Sequence, residues 1–142
     1  MYPRSINLVI ESKIDDIALL AQAIKAVCQT VVQDEIVLYN IVLCLVEAVT
    51  NVIKHAYHGK PGNFIEIKIT VDDYSVAFEI MDNGDQADLP PPKNELSHDT
   101  NDITSLPESG MGLFLIHQIM DEILLSHKNE KNILYMKKLL GK

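Results

Sequence analysis

The hydrophobic pattern at the start of the chain predicts a strand followed by a helix. From Ser5 to Glu11, apolar residues alternate with polar ones, which is typical of a half-buried strand. Apolar residues then recur at helical spacing to about Val32. Asp15 and Asp16 stand where the positive end of a helix favours negative charge, so we expect an amphipathic helix that begins there.

A second predicted helix is the most apolar part of the chain. It opens at Asp34 and Glu35, and the positions from Ile36 to Val46 are apolar on nearly every side. Such a helix is expected in the centre of a domain, covered on both flanks. The loop residues from His58 to Asn63, which include glycine and proline, end it.

The last part of this helix, Leu45 to Tyr57, carries three polar side chains on one stripe. Glu47, Asn51 and His55 are four residues apart, so on an α-helix they stack on adjacent turns. Polar groups on an apolar surface lose free energy unless they find partners. The three are therefore either satisfied, incidental residues of a core helix or members of a site.

Two alternating segments follow, Ile65 to Val71 and Val76 to Ile80. The short Asp72–Asp73 connection between them predicts an antiparallel hairpin. From Asp82 to Ser109 the chain is polar and rich in proline, with no hydrophobic period. A loop of this length is usually functional or mobile, and the alternative is a tolerated surface insertion.

The remaining pattern predicts a helix from Gly112 to Glu122 and two strands, about Glu122 to Lys128 and Asn132 to Leu140, joined by Asn129-Glu130-Lys131. Strands and helices do not alternate as they do in a doubly wound fold. We therefore predict a single domain, residues 1–142, with an α+β two-layer sandwich. Helices would cover one face of a mostly antiparallel mixed sheet.

Composition narrows the possible partners and the compartment. The formal net charge of −8 makes a nucleic-acid backbone an unfavourable direct partner. No apolar run is expected to reach the length that spans a bilayer, and the N-terminus lacks a signal-peptide pattern. Cys28 and Cys44 have no metal-ligand spacing and fit small buried hydrophobes of a reduced cytosol. These features predict a cytoplasmic protein that binds neither nucleic acid nor membrane.

The polar stripe of the second helix has the chemistry of a magnesium nucleotide site. Mg²⁺ keeps most of its waters and accepts few protein oxygens, and the amide oxygen of Asn51 could provide one without adding charge beside the phosphates. Glu47, one turn earlier, could take the proton from an attacking hydroxyl of water or of a serine. The alternative for Glu47 is a paired buried acid.

Asp82-Asn83-Gly84 follows a predicted strand and could read a base. An ionised Asp82 can accept a hydrogen bond from the exocyclic amine of adenine, whereas guanine has a carbonyl at that position. Gly84 has no side chain, so a flat base could lie against its backbone. Taken alone, Asp-Asn-Gly is a common turn.

Ser109-Gly110-Met111-Gly112-Leu113 opens a predicted helix. Free N–H groups and the positive end of the helix dipole make such a start an anion site, and two glycines let the chain approach phosphate oxygens. A flexible hinge before a helix is the alternative. The chain has neither a Walker-type Gly-Lys-Ser/Thr sequence nor a Gly-x-Gly-x-x-Gly fingerprint.

Three segments together, Glu47–Tyr57, Met81–Gly84 and Glu108–Ile116, resemble the boxes of the Bergerat-type ATP-binding fold. That fold is shared by gyrase-type ATPases, the Hsp90 chaperone, sensor histidine kinases and MutL. The resemblance is strongest to the small anti-sigma factor serine/threonine kinases of bacteria, and it covers nearly the whole chain.

The resemblance implies a role for each box, with ATP and Mg²⁺ as cofactors. Glu47 would be the general base and Asn51 the Mg²⁺ ligand, while Asp82 would read adenine. The segment of about residues 82–109 would be an ATP lid. The implied nucleotide-binding residues are Asn51, His55, Asp82, Gly84, Ser109, Gly110, Met111 and Gly112.

The resemblance also implies partners. Family members form homodimers, hold a sigma factor inactive and phosphorylate a serine of an anti-anti-sigma factor. One alternative is an ATP-binding regulatory module that acts by sequestration without kinase activity, and another is a structural domain with an empty pocket. Two departures from the family pattern are Gln86, where the second box often has glycine, and Lys131-Asn132, where the last strand often follows a glycine.

Overall fold

The computed structural model describes residues 2–85 and 108–141, and residues 108–113 by their backbone alone. A 3₁₀ turn, Ile14–Asp16, precedes α1, and a π-helix, Val52–Ala56, continues α2. The helices and strands are β1 Arg4–Glu11, α1 Ile17–Cys28, α2 Glu35–Asn51, β2 Phe64–Val71, β3 Ser75–Asp82, α3 Glu108–Ile119, β4 Glu122–Lys128 and β5 Lys131–Leu139.

The five strands form one sheet in the order β1-β2-β3-β5-β4. The four pairings between neighbouring strands are all antiparallel. The register places Ile67 opposite Ile80 and Phe78 opposite Met136, and these four side chains are buried on the inner face. The outer face carries Lys68 and other charged residues. The predicted α+β two-layer sandwich is therefore confirmed.

Helix α2 is the central helix, as the sequence predicts. It lies between α1 and α3, and its buried side chains join those of the inner sheet face in one core. Asp34 caps its start, because one carboxylate oxygen accepts the N–H groups of Ile36 at 2.8 Å and Val37 at 3.2 Å. Burial raises the pKa of the Cys44 thiol, on the same helix, to about 12.

The expectation that no apolar run reaches the length that spans a bilayer was wrong. The helical stretch Glu35–Ala56, 22 residues long, is apolar and long enough by composition and length to cross a membrane. Much of its apolar surface, including Ile41 and Leu45, is packed into the core of the domain. A core helix of a soluble protein passes the same test, so this helix is weak evidence for a membrane span.

Helix α1 is shorter than predicted. It ends at Cys28 rather than near Val32, and just beyond its end the Thr30 hydroxyl bonds the carbonyl of Val27 at 2.7 Å. The N–H of Val32 still bonds the carbonyl of Cys28 at 2.8 Å, and Val32 remains buried. The apolar period thus predicted the buried positions correctly but not the end of the helix.

Helix α3 begins earlier and ends earlier than predicted. It starts at Glu108, so Gly110 lies inside it and Gly112 is not its first residue. It stops at Ile119 because Asp121 joins the sheet, where its N–H bonds the carbonyl of Lys137 at 2.9 Å and its carboxylate accepts the N–H of Leu139 at 2.7 Å.

A tight turn joins β4 to β5. Lys128 pairs with Lys131, so only Asn129 and Glu130 connect the strands. Both have positive φ, at 53° and 65°, as a type I′ hairpin turn requires. Asparagine tolerates this conformation better than glutamate does, so Glu130 holds a strained backbone.

We expect Glu130→Gly to stabilise the protein by about 1 kcal/mol, since glycine adopts positive φ without steric cost. Urea unfolding measures the change. Glu130→Ala is the matched control, because alanine retains the Cβ atom and should give no comparable gain. Equal stabilisation by glycine and alanine would mean that the backbone conformation at residue 130 is not the source of the strain.

Candidate functional site

Glu47 and Asn51 lie one turn apart near the end of α2, and both are half-buried. The Nδ2 atom of Asn51 is buried, and it has no hydrogen-bond partner among the residues that the structure describes. An unpaired buried amide is costly and calls for an explanation, such as a ligand that supplies the missing partner. The Asn51 amide therefore lies where a bound group could satisfy it.

The expected stacking of His55 on Glu47 and Asn51 stays a prediction, as does the role of His55 in nucleotide binding. It assumed an α-helix through Tyr57, whereas the helix changes to π geometry at Val52, and the N–H of Tyr57 bonds the carbonyl of Val52 at 3.0 Å. The π-helix begins directly after Asn51, so regular α-helical spacing does not extend to His55. The side chain of His55 is exposed.

The second motif, Met81–Gly84, packs against the end of this helical stretch. The hydroxyl of Tyr57 donates to the carbonyl of Phe64 and accepts the N–H of Asn83, each at 2.8 Å. Burial raises the pKa of Tyr57, which keeps the donating hydroxyl protonated. The N–H of Asp85 bonds the carbonyl of Ala56 at 3.0 Å. The first and second motifs are therefore direct neighbours.

Gly84 makes this docking possible. A Cβ atom at Gly84 would lie 2.5 Å from the carbonyl oxygen of Ala56 and 2.7 Å from its Cβ. Such contacts are too close for any side chain, so the backbone approach itself requires glycine. The sequence argument assigned this glycine to contact with a flat base, which stays a prediction, and did not detect the packing reason.

The carboxylate of Asp82 ends β3 and is buried, with 6% of the residue exposed. Its Oδ1 atom accepts the N–H of Gly84 at 2.9 Å and the Nδ2 of Asn132 at 2.8 Å. Burial raises the pKa of Asp82, and these two donors, with the charge of His127, partly oppose that rise. Both hydrogen bonds that the described residues give this carboxylate end on Oδ1.

Sequence reasoning missed Asn132, which it noted only as a departure from a family pattern. Asn132 is opposite Asp82 in the β3–β5 register and is as deeply buried. A polar residue on an inward-facing position of a strand was the available signal. The pairing of β3 with β5, which lie far apart in the chain, was needed to identify its partner.

The third motif, Glu108–Ile116, lies in the first turns of α3, and this helix packs against α2. Because the helix begins at Glu108, the free N–H groups of its first turn belong to Ser109, Gly110 and their neighbours. The side chains of Ser109 and Met111 lie outside the described residues, as do Gln86 and the body of the predicted lid, residues 86–107. The roles assigned to Ser109, Gly110, Met111 and Gly112 stay predictions.

Two further features of the described residues bear on the site, namely possible metal-ligand clusters and a cavity. No cluster of three or more His, Cys, Asp or Glu side chains that could hold a metal occurs within residues 2–85 and 108–141. A cavity of about 100 Å³ lies beside Val9, Phe64 and Met81, on the outer side of the sheet. Asp82 and Asn83 of the second motif also line it, whereas Glu47 and Asn51 do not.

We expect Tyr57→Phe to lower the free energy of unfolding by about 1–3 kcal/mol, because the N–H of Asn83 loses its acceptor and the Phe64 carbonyl loses its donor. Chemical denaturation measures the loss. Tyr74→Phe is the control, since Tyr74 is 65% exposed and its hydroxyl makes no comparable bridge between described residues. If both variants were equally stable, the Tyr57 bridge would not hold the second motif in place.

Comparison with known sequences identifies relatives along most of the chain. The family model described as Histidine kinase-like ATPase domain matches residues 10–138. Serine-protein kinase RsbW of Bacillus cereus (strain G9842) is 36% identical over 99 residues, which cover 67% of this chain and 60% of the relative. RsbW of Oceanobacillus iheyensis is 32% identical over 84 residues, 58% of this chain and 53% of that protein. The chain thus spans about 60% or less of these relatives' length.

Solved structures agree on the fold. The RsbU and RsbW domains of Rv1364c from Mycobacterium tuberculosis match with a TM-score of 0.65 at 13% identity, over 96% of this chain and 32% of that one. The Acinetobacter baumannii histidine kinase AdeS matches with a TM-score of 0.52 at 17% identity, over 95% and 68% of the two chains. Since the family model spans most of the sequence and the fold agrees, this chain belongs to the histidine kinase-like ATPase domain family.

Proposed function

We propose that this protein binds ATP with Mg²⁺ and transfers the γ-phosphoryl group to a serine of a protein partner. The proposed phosphorylation partner is an anti-anti-sigma factor. In this proposal the protein also sequesters a sigma factor, and it acts in the cytoplasm as a homodimer. Membership of the ATPase domain family and similarity to proteins named Serine-protein kinase RsbW support this proposal.

The single observation that carries the proposal of ATP recognition is the hydrogen bonding of the Asp82 carboxylate. Its Oδ1 atom already accepts two hydrogen bonds from the protein. The other oxygen, Oδ2, accepts no hydrogen bond from residues 2–85 or from the described side chains of residues 114–141, and it could accept one from the exocyclic amine of adenine. Guanine presents a carbonyl oxygen there, which would face a carboxylate oxygen, so the site favours ATP over GTP.

The Asn51 amide fits the proposed Mg²⁺ site. Its nitrogen and oxygen are distinguished only by their hydrogen bonds, and the buried Nδ2 position has none among the described residues. Turned by half a rotation, the amide would present its oxygen at that position. Mg²⁺ in nucleotide sites takes one or two protein ligands plus phosphate oxygens, which agrees with the lack of a larger ligand cluster in the described residues.

Glu47 would serve as the general base of the transfer. Its carboxylate would take the proton of the serine hydroxyl as the serine oxygen forms a bond to the γ-phosphorus. The bond between that phosphorus and the bridging oxygen breaks, and ADP leaves with the electron pair. The position of Glu47 one turn before Asn51 on a rigid helix supports this role, because base and metal ligand then keep a fixed separation.

We expect Glu47→Gln to slow phosphoserine formation by about 10²–10⁴-fold while ATP still binds, since glutamine keeps the shape but cannot accept the proton. Transfer from labelled ATP to a purified serine-bearing partner measures the rate, and calorimetry measures ATP binding. Glu35→Gln is the matched control, because it removes a charge from the exposed start of the same helix, about 18 Å away.

Three outcomes decide the proposal. Unchanged transfer in Glu47→Gln would exclude Glu47 as the base. Tight ATP binding by the unaltered protein, with no labelled phosphoserine on any candidate partner, would favour the regulatory module that acts by sequestration alone. Failure to bind ATP at all would overturn the proposed function.

A further inference from the structure

A buried hydrogen-bond network extends from Asp82 across two further strands. Asn132 on β5 is only 6% exposed. Its Nδ2 atom lies 2.8 Å from Oδ1 of Asp82 and 3.1 Å from the backbone oxygens of Gly84 and Asp85. One amide thus contacts the carboxylate and both carbonyls of the turn that follows it.

These contacts determine which way the Asn132 amide points. A carboxylate oxygen and two carbonyl oxygens can only accept hydrogen bonds. With the amide reversed, its own oxygen would face three acceptors in a buried place, which is strongly unfavourable. The nitrogen must therefore point toward Asp82, and the Oδ1 atom of Asn132 must point the opposite way.

On that opposite side lies His127 of β4, which pairs with Asn132 in the strand register. Nδ1 of His127 is 2.9 Å from Oδ1 of Asn132. Because the amide oxygen only accepts, Nδ1 must carry the proton that it donates. His127 thereby holds the Asn132 amide in this orientation, and the amide in turn holds the Asp82 carboxylate.

The network determines what Asp82 can offer a ligand. The Gly84 N–H alone would leave the carboxylate free to rotate about its last torsion, since that torsion is broad. The second donor, Asn132, fixes which oxygen is bound within the protein, so that Oδ2 is the oxygen available to a ligand. The same amide ties the carbonyls of Gly84 and Asp85, which keeps the turn beside it in one conformation.

We propose that Asn132 and His127 are positioning residues for base recognition, which hold Asp82 so that its free oxygen selects adenine over guanine. This inference rests on the proposed ATP-binding function. Neither residue needs to touch the nucleotide, and both act through the carboxylate. Their removal should therefore change selectivity between bases more than it changes binding of the phosphates that ATP and GTP share.

Isothermal titration calorimetry with ATP and with GTP, in the presence of Mg²⁺, tests the proposal on the full chain. Asn132→Leu removes the amide at similar size, and we expect it to weaken ATP binding by about 10- to 100-fold while GTP binding changes much less. His127→Ala should weaken ATP binding by a smaller factor in the same direction. His127→Asn should restore it, because the asparagine Nδ2 can occupy the place of the histidine Nδ1.

Ser126→Ala is the matched control, since Ser126 neighbours His127 but pairs with Ile133 on the outer face. It should leave both affinities unchanged. A thermal melt would show whether Asn132→Leu fails to fold. In that case, the comparison of His127→Ala with His127→Asn tests the positioning role.

Failure of this inference is distinct from failure of the proposed function. If the unaltered protein prefers ATP and the His127 and Asn132 variants keep the same ATP-to-GTP ratio, the positioning role is excluded while ATP binding stands. Equal loss of ATP and GTP affinity, with no rescue by His127→Asn, would indicate a purely structural role and also overturn the inference. If the unaltered protein binds neither nucleotide, both proposals fall.

Discussion

The buried carboxylate of Asp82 is the constraint on which the local structure depends. Burying a carboxylate costs several kcal/mol unless donors replace the lost water. Here the donors come from the turn after β3 and from β5, at 2.9 and 2.8 Å. The chain can satisfy Asp82 only when β3 pairs with β5 in one register, so the cost of burial enforces the geometry of the site.

The same turn also completes the end of the central helical stretch. The last carbonyls of a helix lack partners within the helix, and the Asp85 N–H supplies one to Ala56. Tyr57, directly after the π-helix, holds Asn83 through its hydroxyl. Ala56, at the end of the π-helix, and Tyr57, which follows it, both contact the second motif. The site is built from long-range contacts that satisfy backbone groups.

Those long-range contacts explain what the sequence could and could not predict. Periodicity and the Asp34 cap are local signals, and they predicted every strand, the central helix and the hairpin. No glycine or proline marks the end of α1, and the start of α3 fell among glycines whose helix propensity is poor. Asn132 could not be assigned a role before β3 and β5 were known to be neighbours, although its place in the sequence was noticed.

This arrangement bears on how the proposed site would align the base and the phosphates of one bound nucleotide. Glu47 and Asn51 stand on α2, and the base-reading turn is fastened to Ala56 at the end of the same helical stretch. Along a helix, Glu47 and Ala56 are separated by about 13 Å. The helix therefore sets the distance between the carboxylate that would read the base and the groups that would act at the phosphates. A nucleotide whose base is held by Asp82 would then meet Asn51 and Glu47 at a separation fixed by this helical stretch.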